Sequence, residues 1–96
     1  MHAASSALNA NVLVLNRMYM AIRVTSARRA FSLLCRELAE VISVEDGRYS
    51  SYDFPNWTEL SEYRELFSDD YDWVSTVRMS IPVPKIIRLF GYDRLP

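Results

Sequence analysis

Arg28 and Arg29 stand side by side, and Arg36 follows with Ser32 midway, so Arg28, Ser32 and Arg36 recur at a spacing of four. On a helix that spacing lines one face. Guanidinium groups set along such a face can follow a nucleic-acid backbone, each neutralising a phosphate and releasing a condensed counterion. Lys85 and Arg88 form a second basic set near the other end of the chain. Arg17 is a weaker member, because it can equally fix the turn it starts. Arg28 and Arg29 have a bland alternative, a solvated helix face with local ion pairs to Glu37, Glu40 or the acidic middle of the chain.

Other chemistry finds little support. His2 is the only histidine and falls in a polar first segment, a poor place for a general base. Cys35 is the only cysteine, which excludes an internal disulfide and a Cys-rich zinc site. It is expected on the apolar side of a helix as a packed thiol, with no histidine to activate it. The chain has no Gly-rich phosphate loop, no Cys-x-x-Cys and no His-Glu-x-x-His. Glu59, Glu62 and Glu65, then Asp69, Asp70 and Asp72, hold many carboxylates, but a straight helical row diverges where a cation site must converge. A solvated acidic face, or one that docks a basic partner, is the expectation. Tyr49, Tyr52, Phe54, Trp57, Tyr63, Phe67, Tyr71 and Trp73 crowd the same acidic stretch. Phosphate is repelled there, so core packing and a protein interface are expected before base stacking. No catalytic residue and no metal ligand is expected in this chain.

Charge is unevenly placed. The formal net charge is −1 over 96 residues, yet residues 1–44 carry +3, residues 45–73 carry −7 and residues 74–96 carry +3. Two basic ends flank an acidic middle, and the expectation is that folding gathers them onto one anion-attracting surface. Half of the residues are hydrophobic and 24% are charged, a folding composition rather than a disordered one. At this length one domain is expected. Nothing reads as a signal peptide or a membrane span, so a cytoplasmic protein is expected.

The elements that must position the arginines are read from pattern. Val12-Leu13-Val14-Leu15 is a β-branched apolar run and predicts a buried strand. Ala21 to Val24 predicts a second extended piece. Thr25-Ser26 signals a helix start, with the helix over about 27–38 and Ala27, Ala30, Phe31, Leu34 and Leu38 on its buried stripe. Cations in its first turn oppose the helix dipole by about 0.3–1 kcal/mol each, so a phosphate or carboxylate nearby would offset that cost. Glu40 to Glu45 predicts a strand, and Asp46-Gly47 a hairpin turn into Arg48 to Phe54. Asn56 or Thr58 is expected to cap a helix through about Ser68. Trp73 to Val83 alternates as a strand, and Pro84 opens a short helix over Lys85 to Phe90 that stops at Gly91. Residues 1–11 read as a flexible arm, 12–91 as an α+β domain, and 92–96 as a linker stub. The fold expected is a small single α+β domain with a short, mainly antiparallel sheet and about three helices.

Three blocks carry a resemblance. Val12-Leu13-Val14-Leu15-Asn16-Arg17-Met18-Tyr19, followed by Ile22-Arg23-Val24-Thr25-Ser26-Ala27-Arg28-Arg29-Ala30-Phe31, resembles the "VLVLN…Y…I.V.S.RRA" start of a group of bacterial HNH endonucleases. Ala39-Glu40-Val41 is the second block. Ile81-Pro82-Val83-Pro84-Lys85-Ile86-Ile87-Arg88-Leu89, with Tyr92, Arg94, Leu95 and Pro96 after it, is close to the family's "(I/V)P.VI.L" block. The resemblance spans roughly residues 12–45 and 76–96. It implies that a ββα-metal nuclease unit follows, with Cys-x-x-Cys zinc ligands, a general-base His and a metal-binding His or Asn. The chain stops at Pro96, before any of these, so no catalytic residue carries over.

The resemblance implies an N-terminal accessory domain of an HNH endonuclease, supplied as a truncated chain. Such a domain is expected to position the nuclease, and Arg28, Arg29, Arg36, Lys85, Arg88 and, more weakly, Arg17 are the candidates that charge placement offers for phosphate contact. The implied partners are DNA and the C-terminal HNH domain of the same protein, with no membrane. No cofactor is expected in this chain; a divalent metal and a structural zinc are implied for the nuclease unit. Metal-assisted phosphodiester hydrolysis, with the ion stabilising the leaving oxygen, is implied for the whole protein. Two alternatives stay open. One is a protein–protein interaction module, such as a homodimer, that uses the aromatic and acidic middle. The other is a small mobile-element protein that has kept this domain and lost the nuclease.

Overall fold

The structure is a computed structural model and describes residues 7–91. The stub expected over 92–96 lies outside the described residues, as do the first six positions of the expected arm. Ala7 is buried, and its carbonyl accepts from the N–H of Ala10 at 3.1 Å.

Strands β1 (Asn11–Leu15) and β2 (Ala21–Ser26) form an antiparallel hairpin. Asn16 makes the turn: its side-chain oxygen accepts from the N–H of Met18 at 2.8 Å and of Met20 at 3.0 Å. Helix α1 (Ala27–Cys35) follows directly. Its N-cap is Ser26, whose hydroxyl accepts from the Arg29 N–H at 3.2 Å, as the Thr25-Ser26 signal predicts. Ala27, Ala30, Leu33 and Leu34 are its buried residues. The helix ends earlier than its apolar periodicity implies. Glu37 takes φ +61, and the N–H groups of Glu37 and Leu38 donate back to Leu34 and Leu33. That is a Schellman stop made without glycine. Leu38, expected on the buried stripe, is exposed, and so is Cys35, whose place in the last turn points it away from the core.

Strand β3 (Ala39–Glu45) pairs with β4 (Arg48–Tyr52) through a two-residue turn. Asp46 at φ +53 and Gly47 at φ +77 give the doubly left-handed turn that fits the twist of the flanking strands. Helix α2 (Phe54–Leu60) is capped by Asp53, whose carboxylate accepts from the Asn56 N–H at 2.9 Å. Neither Asn56 nor Thr58 is the cap, and the helix does not reach Ser68. It gives way at Ser61, whose hydroxyl turns back to the Thr58 carbonyl, and only a 3-10 turn at Arg64–Leu66 follows.

The predicted long strand over 73–83 is a small hairpin of β5 (Trp73–Ser75) and β6 (Ser80–Pro82). Thr76 folds the chain without Gly or Pro, since its hydroxyl donates to the Met79 carbonyl at 3.1 Å and its N–H to the same carbonyl at 2.7 Å. The helix predicted over Lys85 to Phe90 is instead strand β7 (Ile86–Leu89). It fills the centre of a five-stranded sheet in the order β2-β1-β7-β3-β4, parallel to β1 and antiparallel to β3. Unpaired backbone groups on two facing strands demand a strand between them. That demand outweighs the local reading of Pro84.

The fold is therefore α+β and mainly antiparallel, with two α-helices and a 3-10 turn within residues 11–91 where about three helices are expected. Both helices pack on one face of the sheet. Val12, Val14, Val41, Ile87 and Leu89 meet α1 and Trp57 there, and Phe31 meets Phe54 edge-on at 6.0 Å. Trp57 is 1% exposed; its indole N–H donates to the Pro82 carbonyl at 2.9 Å, and Phe67 lies edge-on to it at 5.4 Å. Burying a side chain of this size contributes roughly 1.5–3 kcal/mol or more.

Candidate nucleic-acid interface

The exposed side of α1 is an open basic surface. Its buried side is fixed by Ala27, Ala30, Leu33 and Leu34, which leaves Arg28, Arg29 and Arg36 exposed. Arg28 and Arg29 lie in the first turn, where there is no acidic residue, and Arg36 is the C-cap. At a rise of about 1.5 Å per residue, Arg28 and Arg36 stand roughly 12 Å apart along the axis. That length covers about three phosphates of one DNA strand, at ~3.4 Å each. Among the described residues, ion pairs within 4.0 Å join only Lys85 to Asp70 and Arg88 to Glu40. The local pairing to Glu37 or Glu40 that would neutralise the α1 arginines is not formed.

The other predicted cations have different surroundings. Arg88 points from β7, with its side chain 20% exposed and its NH1 2.9 Å from a carboxylate oxygen of Glu40, which is 16% exposed. Its Nε and NH2 donate to the Arg17 carbonyl at 3.0 and 2.8 Å. The guanidinium also lies 4.5 Å over the Tyr19 ring. Arg88 thus holds the β1–β2 turn to the sheet centre. The side chain of Arg17 is exposed. Lys85 lies 4.7 Å over the Tyr71 ring and reaches the Asp70 carbonyl at 3.4 Å and its carboxylate at 4.0 Å.

The sheet stands between the α1 arginines and Arg88. Val14 pairs with Ile87 and Leu15 with Arg88, and neighbouring residues on a strand point to opposite faces. Val14 and Ile87 face the helices, so Arg88 faces away from α1. The expectation that both basic ends share one surface therefore fails for Arg88: alternation on β7 puts it on the far face, where Glu40 neutralises it.

Two features escape the sequence reading. Arg88 is the lone charge of β7 and Glu40 sits between apolar neighbours in β3, and that matched oddity is the local hint that they pair. The left-handed Tyr19, at φ +68, has no local signal beyond the Asn16 that shapes its turn. Tyr71 is also notable: burial pushes its phenol above the ordinary 10.0, and the Glu45 carboxylate adds to the shift. The Ser43 hydroxyl opposes it in part.

Among the described residues, no three His, Cys, Asp or Glu side chains gather where they could hold a metal ion. No helix is long and apolar enough to cross a membrane, again among the described residues.

The family model described as "HNH endonuclease-associated, N-terminal domain" matches residues 12–96. That span runs through the middle segment, where the three quoted blocks do not reach. No curated protein and no solved structure matches the chain.

Proposed function

Because the chain belongs to the family of HNH endonuclease-associated N-terminal domains, we propose that it is an accessory domain that positions a C-terminal HNH nuclease and grips the DNA backbone through α1. The observation that carries this is the set Arg28, Arg29 and Arg36, exposed on one helix and without an acidic partner among the described residues. Cations in a first turn oppose the helix dipole, and a phosphate against them removes that opposition. The contacts are to phosphate and carry no sequence information, so the domain holds DNA in place while another element chooses the site.

In this reading hydrolysis falls to the HNH domain, and no chemical step is assigned to the side chains described above. Lys85 is a minor contributor, being partly engaged by Tyr71 and Asp70, and Arg88 is a structural cation rather than a phosphate ligand.

The test is duplex-DNA affinity at low salt. Replacing Arg28 and Arg29 together with Ala weakens binding by roughly tenfold per guanidinium, since a charge-assisted contact contributes about 1.5 kcal/mol. Lys85→Ala has a smaller effect. Equal losses from all three positions, or no loss from Arg28 and Arg29, would contradict the assignment to α1.

A further inference from the structure

The sheet face turned away from the helices carries large apolar side chains that are open to solvent. Met18, Tyr19 and Met20 are 67, 52 and 63% exposed and form a lip at one end. Val24 on β2, Val44 on β3 and Tyr49 on β4, the last 71% exposed, continue across the sheet. Their register places them on that face: Val24 pairs with Leu13, and Val44 with Tyr49. Contiguous exposed apolar surface on a small domain marks an interaction site.

The lip is held in a costly conformation. Tyr19 at φ +68 sits in the left-handed region, which disfavours any side chain with a Cβ. Asn16 imposes it by accepting from the N–H groups on both sides of Tyr19. The ring then stacks with Tyr49 at 6.4 Å and lies under the Arg88 guanidinium. Asn or Gly at position 19 would turn the chain more cheaply. Strain retained at an exposed aromatic is characteristic of binding positions.

The direction of β7 names the occupant. It runs parallel to β1, with Leu15 opposite Arg88, so the chain leaves the sheet at the end where the Asn16–Met20 turn lies. The Arg17 carbonyl is hydrogen-bonded to Arg88, and the Phe90 N–H donates to the Leu38 carbonyl at 3.0 Å. Residues 92–96 span at most about 17 Å when extended. A domain attached beyond them is tethered beside the lip at millimolar-scale effective concentration. The charges in the middle of this face, Arg88 and Glu40, already neutralise each other. The surface therefore suits an apolar protein patch and not a phosphate backbone.

We infer that this face seats the nuclease domain that follows, with an apolar patch of that domain packed over Tyr19 and Tyr49. This rests on the reading above that such a domain follows. The test uses the full-length protein with photoreactive benzoylphenylalanine in place of Tyr19, and a second preparation with it in place of Ser32 on the exposed side of α1. Irradiation and peptide mapping should link position 19 to the nuclease domain within one chain, at roughly ten times the yield from position 32 or more. Adding Met18→Lys and Met20→Lys should lower that yield severalfold. Links from position 19 to a second copy, or to no protein at all, would overturn the inference, as would a yield indifferent to the two lysines. Failure of the underlying reading looks different: the reading frame then carries no nuclease motif after residue 96.

Discussion

Glu40 and Arg88 bring two charges face to face across β3 and β7, and each is mostly shielded from water. An exposed ion pair contributes up to about 1 kcal/mol, while stranding one partner of a buried pair costs about 3–5. With side chains 16–20% exposed, Glu40→Ala should lower stability by about 2 kcal/mol. Replacing Glu40 with Leu and Arg88 with Met together should cost less than the single change. Urea midpoints of the two variants check this, and a double variant weaker than the single would mean that Arg88 matters chiefly through the Arg17 carbonyl. Tyr71 gives a pH-dependent counterpart. Its folded-state pKa is raised above 10.0, first by burial and then by Glu45. The stability it contributes is fully present below its unfolded pKa and is lost as pH rises through the higher folded value. Urea midpoints should therefore fall through the alkaline range above pH 10.0, and Tyr71→Phe should blunt that fall. Neither behaviour is legible in sequence, because each depends on partners brought together from distant strands.

Among the elements, what local pattern encodes is what the sequence reveals. The β1 run, the Ser26 cap and the Asp46-Gly47 turn are all formed as residue chemistry predicts. The errors fall where tertiary context or an unmarked turn decides. Strand β7 reads as a helix because Pro84 suits a first turn, yet its place is set by β1 and β3 on either side. The Thr76 turn carries no Gly or Pro, so alternation on both sides of it reads as one strand. The end of α1 is hidden in the same way, because Glu37 stands where glycine usually marks a stop. That last point is testable. Glu37→Gly relieves the left-handed strain and should raise stability by about 0.5–1 kcal/mol, read as a higher urea midpoint. A lower midpoint would mean that the Glu37 side chain makes a contact outweighing the strain.

For the whole molecule, the division of the sheet into two faces organises the proposed function. One face is closed by α1 and α2 and carries Arg28, Arg29 and Arg36 on its outer side; the other is open, apolar and beside the chain exit. The charge segments along the sequence expose the basic ends but not that Arg88 faces away from α1, since strand alternation and the Glu40 partner become visible only in the fold. On the proposed reading, DNA on the helix side and the nuclease on the open side are engaged at once. The most direct test of the α1 assignment is the slope of log affinity for duplex DNA against log salt, measured for the unaltered protein and for the Arg28→Ala, Arg29→Ala, Arg36→Ala triple variant. Each neutralised phosphate contributes about −0.9 to that slope, so the triple variant should be flatter by roughly 2.7. Parallel slopes for the two proteins would contradict the account.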